Sequence, residues 1–153
     1  MEELEEVVAV LSEAAAWLRA LGIEQWPDPF PAAWVEPSIE RGETYLARDG
    51  DLVAGTITLR WDDPAFWGEQ PPVAGYVHAI AVRREFAGAG PALLDWADGQ
   101  VCAEGRELLR LDCRTENARL RRYYEGQGFV HRGDATVADF ETSLYERRCR
   151  CAQ

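Results

Sequence analysis

Apolar residues first recur every three to four positions along this chain and later come close to alternating, so the pattern predicts helix first and strands after. In residues 2–21, EELEEVVAVLSEAAAWLRAL, the side chains of Leu4, Val7, Val8, Leu11, Ala14, Ala15 and Leu18 share one helical stripe. Gly22 predicts the stop. The next stretch, IEQWPDPFP, holds three prolines and two aromatics and reads as an extended loop. Residues 32–41 predict a second, short helix. TYLARDGDLVAGTITLRW reads as two strands joined at Asp49-Gly50-Asp51. A loop carrying Trp61, Phe66, Trp67 and two adjacent prolines leads to a third strand, VAGYVHAIAV. RREFAGAGPALLDWADGQV then turns into a helix over about residues 90–104. ELLRLDCR is a strand, NARLRRYYEGQ a helix, and GFVHRG and FETSLYERR two further strands. With no repeats, linkers or low-complexity tracts, the expectation is one α/β (α+β) domain over residues 1–153 with a continuous core.

Composition narrows the function. The chain has 153 residues, is 47% hydrophobic and carries six Trp, enough to pack one core. Its net charge is −11, which argues against nucleic acid or an anionic membrane surface as partner and suits a cationic small substrate. The acidic start is unlike a signal peptide and no apolar run approaches a membrane span, so a cytoplasmic protein is expected. The four cysteines, Cys102, Cys113, Cys149 and Cys151, match no zinc spacing beside two histidines, His78 and His131. They read as small buried hydrophobes and a frayed tail, and no metal is expected. All sixteen basic residues are Arg. Without Lys there is neither a P-loop nor Schiff-base catalysis. Ser12, Ser38 and Ser143 lie in no Gly-x-Ser-x-Gly setting.

Two stretches carry chemistry. AGAGPALL, at a strand-to-helix junction, lets a ligand approach the backbone because Gly and Ala add little side chain. Pro91 suits a first helical turn, and the free N–H groups there favour an anion. An ordinary glycine-containing turn is the alternative. In ENARLRRYYEGQGF, Asn117 and Tyr124 stand seven residues apart and project from one helix face, with Leu120 between them. The plainer reading is a core stripe of Leu120, Tyr123 and Phe129 with Asn117 as cap.

Together these segments resemble the GCN5-related N-acetyltransferases (GNAT). HAIAVRREFAGAGPALLDWA has the family's strand, turn and helix around its [Gln/Arg]-x-x-Gly-x-[Gly/Ala] loop. Asn117, Tyr124, Glu125, Gly128 and Phe129 meet the later pattern of Asn followed by Tyr-Glu-x-x-Gly-Phe. The element order agrees over residues 2–147. The glycine loop reads in two registers, residues 87–92 with Ala in the Gln/Arg place or residues 85–90 with Glu there. The first edge strand of the family has no counterpart.

The resemblance implies a mixed, mostly antiparallel sheet flanked by about four helices. It also implies transfer of an acetyl group from acetyl-CoA to an amine of a small molecule or peptide, and a homodimer, since dimers are common in the family. Backbone groups of Ile80, Ala81 and Val82 would meet the pantetheine arm and the oxyanion. Ala87, Gly88, Ala89, Gly90 and Ala92 would hold the pyrophosphate, and Asn117 and Tyr124 would complete the cofactor contacts, with Tyr124 as general acid. Arg83, Arg84, Arg121 or Arg122 would meet the 3′-phosphate. For the base the residues leave open His78, Glu24, Asp28, Asp62, Asp63 or a water. Trp26, Phe30, Trp61 and Trp67 either wall the acceptor pocket or cover the core. A catalytically silent acyl-CoA-binding module is the competing reading. A dinucleotide-binding unit is disfavoured because no third glycine follows Gly-Ala-Gly at the required spacing.

Overall fold

The computed structural model describes residues 2–23 and 26–151. The opening stripe forms helix α1 (Glu2–Ala20), and the proline-rich loop leads to a 3₁₀ turn (Ala32–Trp34) and the short α2 (Glu36–Glu40). Next come β1 (Thr44–Asp49) and β2 (Leu52–Arg60), an antiparallel hairpin registered from Thr44 opposite Thr58 to Asp49 opposite Leu52. Residues 61–73, read as loop from the sequence, contain a fifth helix, α3 (Pro64–Trp67), started by Asp63 with Pro64 in its first turn.

The third strand is β3 (Ala74–Val82), followed by a 3₁₀ turn (Arg84–Phe86) and α4 (Gly90–Ala103). β4 (Leu108–Arg114), α5 (Ala118–Gly126), β5 (Val130–Val137) and β6 (Phe140–Arg148) complete the order. The six strands form one sheet in the order β1-β2-β3-β4-β6-β5. The β3–β4 pair is parallel, while β1–β2, β4–β6 and β5–β6 are antiparallel. β5 starts and ends later than GFVHRG suggested. Its turn to β6 uses Ala138 (φ 51°) and Asp139 (φ 67°), both left-handed, a two-residue hairpin without the glycine that would have signalled it.

By contact density the chain divides into two compact units, the first Met1–Thr58 with Ala79–Leu93, the second Leu59–His78 with Leu94–Gln153. β2, β3 and α4 contribute residues to both. The first unit is built on Val7, Leu11, Phe30 and Val35, with Leu4, Val8, Trp26, Ile39, Leu46, Ala79 and Ala81 packed against them. Trp26, Phe30 and Trp34 meet edge to face at 5.7 and 5.6 Å, so Trp26 and Phe30 take the core-covering role. The second unit buries Leu94, Val101, Leu109, Leu111, Cys113, Tyr124, Phe129 and Tyr145. In this unit Arg110 lies 4.7 Å over Trp67 and donates to Tyr76 and Glu146. Arg106 lies 5.2 Å over Trp61 and donates to its carbonyl, so both tryptophans serve packing here.

The cysteine reading needs correction. Cys102 on α4 and Cys151 in the tail form a disulfide with Cα atoms 5.9 Å apart, and only Cys113 and Cys149 are free. The two partners lie 49 residues apart in sequence, and nothing in their spacing announces the pairing. No helix among the described residues is long and apolar enough to cross a membrane.

Candidate active site

Strand β3 changes character along its length. It pairs with β4 over Ala74–Leu108, Gly75–Leu109 and Tyr76–Arg110, and that register stops at Tyr76. Three residues later Ala79 takes φ 46°, a left-handed value that costs a non-glycine residue energy and interrupts regular pairing. Ile80, Ala81 and Val82 lie beyond the interruption, all half-buried. On the β2 side the fit is close. A Cβ at Gly55 would stand 2.6 Å from the Ala81 carbonyl oxygen and 3.1 Å from Val82 Cγ1. Only glycine lets β2 approach that segment.

The loop after β3 uses some of its own donors. Ala87 N–H donates to Arg84 and Ala89 N–H to Phe86, which closes the turn, and Leu93 N–H donates to Ala89. Gly88 sits at φ 100° and opens the turn in a conformation that side chains avoid. Among the described residues the N–H groups of Gly88, Gly90 and Ala92 meet no backbone acceptor. They are the first donors of α4 together with the glycine before it. Of the five loop residues singled out in the sequence, three therefore have free donors, while Ala87 and Ala89 spend theirs on the turn. Arg83 pairs with Glu13 at 3.4 Å, and the Arg84 guanidinium lies 3.8 Å over Trp17.

In the second unit, Asn117 is the N-cap of α5, its Oδ1 accepting from Leu120 N–H at 3.2 Å. The plainer reading of Asn117 thus holds, and the residue is buried. Tyr124, about two turns further on, is 4% exposed and packs on Phe129 and Tyr145 at 5.7 and 6.4 Å. Burial drives its phenol pKa well above the ordinary value, and the nearby Cys113, Asp112 and Tyr123 add to the rise. The phenol stays neutral and keeps its proton. Arg121 donates to the Tyr145 hydroxyl, which donates in turn to Glu125, while Arg122 is exposed.

Around His78 the second unit gathers charge. His78 Nε2 is 2.9 Å from Asp63 Oδ2, and Nδ1 is 3.9 Å from Asp112 Oδ2. Asp63 is 3% exposed, and Asp112 lies on β4 with Oδ2 buried and no hydrogen-bond partner. Burial alone lowers the His78 pKa, but the bond to Asp63 and the charges of Asp112 and Asp63 outweigh it, against opposition from Arg60. The net shift is upward. Burial raises Asp112 to about 6, the charge on His78 opposing and that of Asp63 adding. Asp63, His78 and Asp112 also form, among the described residues, a group whose ligand-type atoms lie within 4.8 Å of one another. The two carboxylates face different ring nitrogens, Asp63 the Nε2 and Asp112 the Nδ1.

Of the other acids considered as base, Asp62 is exposed and 3.7 Å from Arg60, Asp28 is exposed, and Glu24 lies outside the described residues. Asp112 was missed. On LLRLDCR it reads as an outward-facing strand residue, and only the fold brings it beside His78.

Comparison with known proteins agrees with this architecture. The profile of the acetyltransferase (GNAT) family matches residues 11–129. The uncharacterized N-acetyltransferase YesJ of Bacillus subtilis is 28% identical over 143 residues, 86% of this chain and 79% of its own. A GNAT-family acetyltransferase of Listeria monocytogenes is 25% identical, with a TM-score of 0.78 over 96% of this chain and 90% of its own. The NatC complex bound to Gag peptide and CoA shares the fold at 17% identity, with a TM-score of 0.62 over 91% of this chain and 90% of its own. The family profile spans well over half the chain, and the chain belongs to the GNAT acetyltransferase family.

Proposed function

We propose that this chain moves an acetyl group from acetyl-CoA to a primary amine of a small molecule or peptide by direct attack. The observation that carries the reading is the abrupt end of β3–β4 pairing at Tyr76, followed by the Ala79 distortion and a loop with three unspent N–H groups. Backbone at Ile80, Ala81 and Val82 would pair with the extended pantetheine arm as a strand does. The free donors of Gly88, Gly90 and Ala92 would hold the pyrophosphate, with Ala87 and Ala89 shaping the turn. Because these donors are backbone groups, the absent Gln/Arg side chain does not remove them.

An alkylammonium has a pKa of about 10.4 and must lose a proton before it attacks the thioester carbon. His78, raised above its ordinary value, is the base assigned here. Backbone N–H groups stabilise the oxyanion. As the carbon–sulfur bond breaks, the neutral Tyr124 phenol donates its hydrogen bond to the sulfur that gains charge.

The test is calorimetric titration with acetyl-CoA against CoA and NAD, followed by thiol release over a panel of amines. Acetyl-CoA should bind in preference to NAD. Tyr124→Phe should still bind acetyl-CoA and lower kcat by roughly 10²-fold or more. The second reading, a silent acyl-CoA-binding module, takes support from the loop's lack of Gln/Arg. It predicts binding without thiol release, and indifference to Tyr124→Phe. No acetyl-CoA binding at millimolar ligand would sink both.

A further inference from the structure

We propose that Asp63, His78 and Asp112 work as one proton-holding unit in acetyl transfer, Asp63 fixing the imidazole as its Nε2–H tautomer and Asp112 Oδ2 sharing the proton that His78 Nδ1 takes from the amine. This rests on the assignment of His78 as base.

Asp63 supplies the first half of the argument. It stands at the N-cap of α3, where an Asp side chain ordinarily bonds the helix's free N–H groups, yet its carboxylate makes no capping bond. Its backbone carbonyl accepts from Phe66 and Trp67, and its Oδ2 lies 2.9 Å from His78 Nε2. An ionised carboxylate can only accept, so the neutral imidazole carries its proton on Nε2 and offers the lone pair on Nδ1.

Asp112 supplies the second half. A buried carboxylate oxygen without a partner is costly, and Asp112 Oδ2 is such an atom, 3.9 Å from Nδ1. That distance is too long for a hydrogen bond. A proton arriving at Nδ1 creates the donor that Oδ2 lacks, and a small side-chain rotation closes a charge-assisted bond. The other charged and titratable groups around the pair are Arg60 on β2, which opposes protonation of His78, and Cys113 and Tyr124, whose own titrations feel Asp112. Burial pushes the Cys113 thiol up to about 12, so it stays protonated. Phe66, 5.6 Å from the imidazole, contributes an apolar wall.

The balance is simple. The ammonium N–H bond breaks and an N–H bond forms at Nδ1, while the freed lone pair attacks the thioester carbon. As the carbon–sulfur bond breaks, the nitrogen's second proton passes to the departing sulfur by way of the Tyr124 phenol, which ends neutral as it began, so that CoA leaves as the thiol and the product as the amide. Asp112 shares the Nδ1 proton until solvent takes it, which returns the imidazole to its starting tautomer.

The test is an imidazole ¹⁵N NMR titration of the full chain. The sequence holds two histidines, so His131→Gln leaves His78 as the one signal. Neutral His78 should show the Nε2–H tautomer, and Asp112→Asn should lower its titration midpoint by roughly one pH unit. In Asp63→Asn the tautomer preference should be lost. In steady-state acetylation, the acid limb of kcat/KM should move to lower pH with Asp112→Asn and return with Asp112→Glu. An Nδ1–H tautomer, or a midpoint unmoved by Asp112→Asn and intact in a folded Asp112→Glu control, overturns the proposal. A midpoint that moves while the acid limb does not would instead remove His78 as the base, and the unit's role in transfer with it. The NMR arm needs no turnover, so these two failures are told apart.

Discussion

At the residue scale, His78 and Asp112 make stability depend on pH in one direction. Asp112 is raised from 3.8 to about 6, so between those values the folded chain binds more protons than the unfolded one, and stability falls as pH rises through that window. His78 is raised as well. Its contribution is complete below its ordinary value of 6.5 and is lost as pH rises through its folded value. The two effects add. Asp112→Asn mimics the neutral acid at every pH, so it should match the wild type near about pH 4 and exceed it by up to about 3 kcal/mol near about pH 7.5. Urea unfolding at the two pH values measures this, and an equal difference at both would refute it. Composition excluded lysine chemistry, and the Asn–Tyr spacing was legible as one helix face. The Asp63–His78–Asp112 group was not, because its members lie 15 and 34 residues apart on a helix cap, β3 and β4, and only folding makes them neighbours.

At the scale of elements, the hairpin, β3 and α4 carry the segment proposed to meet acetyl-CoA, and β2 comes close to it at Gly55. In Gly55→Ala the new methyl would meet the Ala81 carbonyl at 2.6 Å, a backbone atom that moves only with its strand. The expected cost is about 1–3 kcal/mol. Because the displaced atoms are those of Ala81 and Val82, acetyl-CoA affinity should fall along with stability, as calorimetry on the folded variant would show. Asn117 offers the opposite case. Its bond to Leu120 N–H makes it a cap, so Asn117→Ala should destabilise the chain by about 1 kcal/mol in thermal unfolding. Period and turn chemistry made most elements readable, down to the bounds of β6. They failed at α3, too short for a period, and at the Ala138–Asp139 turn, where tertiary pairing forces left-handed angles on residues that do not advertise them.

Over the whole molecule, the Cys102–Cys151 disulfide closes a large loop in the second unit, its partners 49 residues apart in sequence. Closing a loop of that length removes unfolded-state entropy worth about 4 kcal/mol. Cys151→Ser should therefore lower the urea midpoint substantially under oxidising conditions, and reductant should bring the wild type down to the variant. If the wild type is insensitive to reductant, the bond contributes nothing to stability.

The order of helices and strands, the glycine turn and the Asn–Tyr helix were determined by the sequence alone, because each rests on local period, local sterics or fixed spacing. That was enough to indicate an acetyltransferase of the GNAT family. Tertiary structure alone decided that Cys102 and Cys151 are joined and that Asp112 faces His78. The physical reason is common to both. Each depends on where a group's hydrogen-bonding or bonding partner comes to rest in space, and separation along the chain carries no information about that until the sheet has formed.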